Sequence, residues 1–190
     1  HGNPVRHLLV NLVAFQLGWL ACVLGGAHGW PWLGAGVMGL VVALHLVSSG
    51  SPVRESVLML SLGCIGALWD GLLARLGFLE FPSGMFLPWL APVWIIALWV
   101  GFATTLNVSL AWLQGRWYWA LLFGAVGGPV AYWAGMKLGG VRIPDPVAGF
   151  AVLAGGWSFL MHFASWLAYK LRGEGARGET DLAPSSAGAR

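Results

Sequence analysis

Two carboxylates stand on one apolar segment, ESVLMLSLGCIGALWDGLLAR, with Glu55 at its start and Asp70 inside its hydrophobic run. An ionisable side chain in hydrocarbon is costly, so it normally faces a partner, a cavity or a path. The two are 15 positions apart, which on a helix leaves them about 60° apart around the axis and about 22 Å apart along it. They share a face with Met59, Leu62 and Gly66, yet they cannot form a catalytic carboxylate pair within one helix. They mark two depths.

Counting along the apolar segments places Asn11, His45, Arg54, Thr104 and Asn107 near the level of Glu55. Ser158, His162, Ser165 and Tyr169 add an i, i+4, i+7, i+11 polar stripe on the last segment. Together these residues can line one inward-facing cavity. A His beside a carboxylate supplies an acid/base or metal pair. The expected roles are Glu55, His45 or His162 as acid and base, with Asn107 as a hydrogen-bonding orienter. The alternative is that each His and Asn merely bonds a backbone carbonyl or a neighbouring helix. At the other level stand Asp70, Arg75, Tyr132 and Lys137 among Trp69, Trp89, Trp94 and Trp133. There the plain expectation is an ion pair between Asp70 and Arg75 or Lys137. The sharper one is a ligand or proton site using Asp70 and Tyr132, with Arg54 and Thr104 at the Glu55 level. No HExxH, GxSxG, phosphate-binding Gly loop or paired CxxC occurs, His28, His45 and His162 are mutually isolated, and no metal centre is expected.

The elements that must hold these residues are membrane helices. The chain is 58% hydrophobic and 9% charged, with mean hydropathy +0.75. That is too little charge to cover a soluble globule, for which roughly 25% is usual. Thirteen Trp suit headgroup-level anchoring. About 20 apolar residues span a bilayer, and six stretches are read as an all-α bundle of about six transmembrane helices: 8–26, 32–47, 56–76, 88–113, 117–138 and 146–171. The fifth is interrupted by Gly127-Gly128-Pro129. Residues 173–190 read as a disordered cytoplasmic tail. The stretch FLEFPSGMFLP is too apolar for a free loop and should lie at the interface or re-enter.

Lys and Arg number seven on one side (Arg6, Arg54, Arg116, Lys170, Arg172, Arg177, Arg190) and three on the other (Arg75, Lys137, Arg142). The positive-inside rule then puts both termini in the cytoplasm. The formal charge of +3 sits at segment ends and fits membrane orientation, not nucleic-acid binding. Arg6 and His7 before an apolar run imitate a signal peptide, but five more apolar segments follow, and the first is read as a retained helix. Cys22 and Cys64 set no disulfide framework and read as small buried hydrophobes. Gly63, Ala67 and Gly71, and Gly124 and Gly128, form small-residue stripes. These serve packing within the bundle, or contact with another membrane protein or a second copy.

Phe15–Trp30, the Arg54-Glu55 pair, Asp70, Pro92–Leu113 and Gly124–Gly140 resemble a family of bacterial inner-membrane proteins catalogued as domain of unknown function 2878. The resemblance implies a multi-helix membrane protein with no established activity, and carries over no catalytic residue or cofactor. The functional expectation is a lipid- or acyl-chain-binding or modifying protein with membrane lipids as partners and a polar pocket at the inner leaflet. The alternatives are a structural or assembly subunit and a small proton-coupled transporter with Asp70 and Glu55 as successive stations.

Overall fold

The computed structural model describes residues 2–181, with side chains through residue 173. Six helices follow in order: α1 Pro4–Ala27, α2 Pro31–Ser48, α3 Pro52–Arg75, α4 Val93–Ala103, α5 Trp117–Lys137 and α6 Pro146–Asp181. Four of them begin on proline, whose fixed φ suits the first turn and whose missing N–H is no loss there. The Asn3 side chain accepts from Val5 N at 3.0 Å and caps α1. Asp145 does the same for α6 through Ala148 N at 3.2 Å.

Five helices are long and apolar enough to cross a membrane. Large apolar side chains such as Leu40, Leu60, Val126 and Phe159 cover the outside of the bundle. The buried positions include Glu55, Asp70, Asn11, Thr104 and Thr105. This arrangement, polar groups inside and hydrocarbon outside, is that of a multi-pass membrane protein.

The expected fourth helix over 88–113 is corrected. Regular α-helix covers only Val93–Ala103, about 16 Å long, and turns and a short 3-10 segment at Ala111–Leu113 complete the crossing. Thr104 and Thr105 end the helix. Their hydroxyls bond back to the Gly101 and Phe102 carbonyls, both at 2.6 Å, and compete with the regular ladder. The expected break at Gly127-Gly128-Pro129 is corrected in the opposite sense, because α5 runs unbroken through Pro129. A proline there costs one backbone bond, and helix neighbours in a membrane tolerate it. The helix α6 also continues past residue 173 to Asp181, where a tail was expected, and residues 182–190 lie outside the described residues.

Packing divides the molecule. α1, α2 and α4 pack on one another, and α3 packs on α4. α5 and α6 form a hairpin that joins the rest chiefly through α3 and α6. Aromatic rings seat on glycines at this join. A Cβ on Gly66 would come within 2.0 Å of the Trp99 ring, and one on Gly128 within 2.4 Å of Trp157. Trp99 and Trp157 stack between them, with centroids 4.6 Å apart. Gly63 meets Val100 and Gly124 meets the Trp157 carbonyl, so the small-residue stripes are occupied by this chain's own helices.

The apolar 76–92 stretch folds over the Asp70 end of the bundle. Ala91 N bonds the Ala67 carbonyl at 3.0 Å, and Ser83 Oγ donates to the Gly26 carbonyl at 2.6 Å. Glu80 and Arg142 pair by two backbone hydrogen bonds of 2.8 Å and by their side chains, tying this stretch to the α5–α6 link.

Candidate functional site

Glu55 lies in the first turn of α3, where the helix N-terminus favours a negative charge. It is buried, with 6% exposure. Its two oxygens have different partners. Oε2 faces His45 Nε2 at 2.9 Å, from the last turn of α2. Oε1 accepts from Asn107 Nδ2 at 2.6 Å, from the turns after α4. The expected cluster of Glu55, His45 and Asn107 is therefore assembled from three elements.

The network runs further than was expected. Arg172 Nη1 donates to Gln114 Oε1 at 3.0 Å, and Gln114 Nε2 donates to Asn107 Oδ1 at 2.9 Å and to the Leu106 carbonyl at 2.8 Å. Arginine has only donors, so it fixes which end of Gln114 is oxygen, and Gln114 in turn fixes Asn107. All donors then point toward the Glu55 carboxylate. An ionised Glu55 requires a hydrogen on His45 Nε2, and this leaves Nδ1 as the basic lone pair. Nδ1 has no hydrogen-bond partner among the described residues.

Asn11 belongs to the same end. Its Nδ2 donates to the Thr104 carbonyl at 2.9 Å, and its Oδ1 accepts from Ser109 Oγ at 2.8 Å. These bonds hold the irregular segment after α4 against α1. Asn11, His45, Glu55, Thr104 and Asn107 line a cavity of about 350 Å³ with His7, and Val10, Val41 and Leu44 supply apolar wall.

Other expectations for this end are corrected. His162 is half-buried on α6 and makes no hydrogen bond to the cluster among the described residues. Ser158 Oγ donates to the Leu121 carbonyl of α5 at 3.0 Å, Ser165 Oγ is buried without a partner, and Tyr169 is exposed. Among the described residues the stripe's one hydrogen bond, from Ser158, goes to α5, the partner of α6 in the hairpin. α6 contributes Arg172 instead. Arg54 is half-buried and does not line the cavity.

At the other depth Asp70 is fully buried. Trp99 Nε1 donates to its Oδ2 at 2.7 Å, and the Tyr132 hydroxyl donates to its Oδ1. The expected pairing with Arg75 or Lys137 is corrected. Both cations are exposed, and Lys137 lies over the Trp133 ring at 5.8 Å. Asp70 points inward with α3's packed face, where, among the described residues, only the neutral donors of α4 and α5 reach it.

Beside this cluster, α1 and α5 form the walls of a second cavity of about 450 Å³, with α4 and α6 behind it. Leu12, Phe15, Trp19 and Val23 line it along one face of α1, a run of about 16 Å. Thr105 and Ser109 stand at one end and Tyr132 at the other. Its rim residues Leu12, Phe123 and Val130 are exposed, so the cavity opens sideways toward lipid.

The model of a family described as "Protein of unknown function (DUF2878)" matches residues 8–163. The chain belongs to that family. Neither the curated proteins nor the solved structures contain a match. In this DUF2878 chain the matched span carries both carboxylate clusters and ends before Arg172.

Cys22 Sγ donates to the Gly34 carbonyl at 3.3 Å and is buried as expected, whereas Cys64 is exposed toward lipid. Gln16, Trp99, Ser109, Gln114 and Trp157 escaped the sequence reading. For Gln16 the signal was present, since it is a lone amide in the apolar run LVAFQLGWLACV. The others depend on the turn after α4 and on stacking across helices, which periodicity does not encode.

Proposed function

We propose that this protein binds lipids or their acyl chains in a bacterial inner membrane and acts on them at the His45–Glu55–Asn107 centre. In this reading the termini are cytoplasmic and the His45 cavity opens at the inner leaflet, as the excess of Lys and Arg at that end supports. The observation that carries it is the carboxylate-oriented imidazole. His45 Nδ1 is left basic in a cavity lined by polar and apolar groups, within a chain that also holds a lipid-facing apolar cavity. The two cavities flank the same pieces: Asn11, Thr104 and Asn107 face one, and Leu12, Thr105 and Ser109 the other. The Asn11 bonds to Thr104 and Ser109 close α1 against the segment after α4, between the two cavities. A lipid's polar group therefore meets His45 in the first, and the second is a separate place for a chain along α1.

In chemical terms His45 takes or returns a proton at the lipid's polar group, Glu55 holds the imidazole in the required tautomer, and Asn107 fixes Glu55. The test is native mass spectrometry and lipid analysis of protein purified gently from its own membrane, beside Glu55→Gln. We expect a lipid in near-stoichiometric amount with wild type, and a changed lipid complement or turnover with Glu55→Gln. Identical retention and turnover in both proteins would refute the proposal.

A further inference from the structure

Gln16 sits midway along the 24 residues of α1, about 18 Å from the helix start. That is the depth of hydrocarbon, well away from ester groups at the membrane surface. Its neighbours Leu12, Val13, Leu17 and Leu20 are exposed apolar side chains, and Gln16 is exposed with them. The amide makes no hydrogen bond to any described residue, unlike Asn11 one turn earlier, whose amide uses both its oxygen and its nitrogen. An unpartnered amide facing lipid is expensive. Gln16 stands at the edge of the lateral cavity and lines it.

The Trp157 indole also lines this cavity, but its Nε1 is buried beside the Tyr132 oxygen and is not open to a ligand. Tyr132 spends its own hydrogen on Asp70, so the amide of Gln16 is what the cavity offers, with its donors and its acceptor. A saturated acyl chain satisfies none of them. We infer that the lateral cavity binds a long apolar lipid carrying a hydroxyl or carbonyl oxygen at mid-membrane depth, with Gln16 reading that oxygen. This rests on the proposed lipid-binding function and specifies its ligand class. The chain lies along Leu12, Phe15 and Trp19, and enters between α1 and α5.

The test is binding of radiolabelled stearate and of a mid-chain hydroxystearate to protein in phosphatidylcholine nanodiscs, corrected for empty discs. We expect the hydroxylated chain to bind about five- to tenfold more tightly, as one or two net hydrogen bonds allow. Gln16→Leu should erase most of that preference, and Gln16→Asn, which keeps an amide on a shorter stem, should retain part of it. Gln16 is at the surface of the bundle, so its replacement leaves the core intact. Equal binding of the two chains by wild type overturns the inference and leaves chain binding standing. Binding of neither removes the chain-binding reading as well. If Gln16→Leu instead converts a dimer to a monomer in the discs, Gln16 belongs to a protein interface and the inference fails.

Discussion

Glu55 and Asp70 share one face of α3 and are both buried, yet they are satisfied in different ways. Glu55 has an imidazole and an amide, and the amide leads through Gln114 to the cation of Arg172. Asp70 has an indole and a phenol, both neutral, and no cation among the described residues. Glu55 borders a cavity, whereas Asp70 is sealed beneath Trp99 and Tyr132. The first arrangement keeps a charge poised beside an open space and leaves one imidazole nitrogen free. The second fixes three helices, since α3, α4 and α5 each supply one member. Between them Met59 and Leu62 are buried in the core, so a proton passing from one carboxylate to the other would have to part closely packed side chains. The contrast assigns chemistry to the Glu55 end and architecture to the Asp70 end.

Removing each carboxylate is the strongest way to break that contrast. Asp70→Ala leaves the Trp99 and Tyr132 donors buried and unpaired, at about 1–3 kcal/mol each. We expect a loss of about 2–6 kcal/mol of stability, read by denaturant unfolding in mixed micelles. Glu55→Ala exposes its partners to a cavity that water or headgroups can reach, and should cost only about 1 kcal/mol. If Glu55→Ala proves the more damaging, the division of roles is reversed. The next effect in size concerns the seat of Trp99. Gly66→Leu drives a side chain into the indole that serves Asp70, and overpacking of this kind costs about 1–3 kcal/mol or more. Gly36, which has nothing within 4 Å, provides the control, and Gly36→Leu should be nearly silent in the same unfolding measurement.

Much of this was legible in the sequence, and the reasons are physical. In lipid every backbone group must be satisfied internally, so length and hydropathy alone give helices close to those observed. The shared face of Glu55 and Asp70 follows from helical periodicity, and His45 and Asn107 were placed beside Glu55 by depth. Depth says nothing of azimuth between helices, however. His162 has the expected level on α6 but, among the described residues, no bond to Glu55, because α6 packs chiefly on α5. Arg75 and Lys137 are near Asp70 in sequence or level, but they follow the usual course of long cations and turn outward. The short α4 was missed because an apolar run of helical length does not reveal that Thr104 and Thr105 bond back to the preceding turn. That irregular segment carries Asn107, so the least predictable stretch of the fold also holds a site residue.

The smallest expected effect sharpens the comparison most. Gln114 touches neither cavity wall nor carboxylate, and it acts only by fixing which end of the Asn107 amide faces Glu55. Gln114→Ala removes three hydrogen bonds at a half-buried position where water replaces them in part, and should cost about 1 kcal/mol. Its real consequence lies in His45. With Asn107 no longer braced, its bond to Glu55 weakens, and the carboxylate that holds the imidazole loosens. Nitrogen-15 spectra of labelled histidine distinguish the two neutral tautomers. We expect wild type to show His45 with hydrogen on Nε2, and Gln114→Ala to show a mixture at nearly unchanged stability. Asn107→Ala should give the same mixture, and combining the two substitutions should add little, since both act through one contact. A single unchanged tautomer in all three proteins would mean that Glu55 and its helix N-terminus orient His45 unaided, and the amide relay would then be only a brace for the turn after α4.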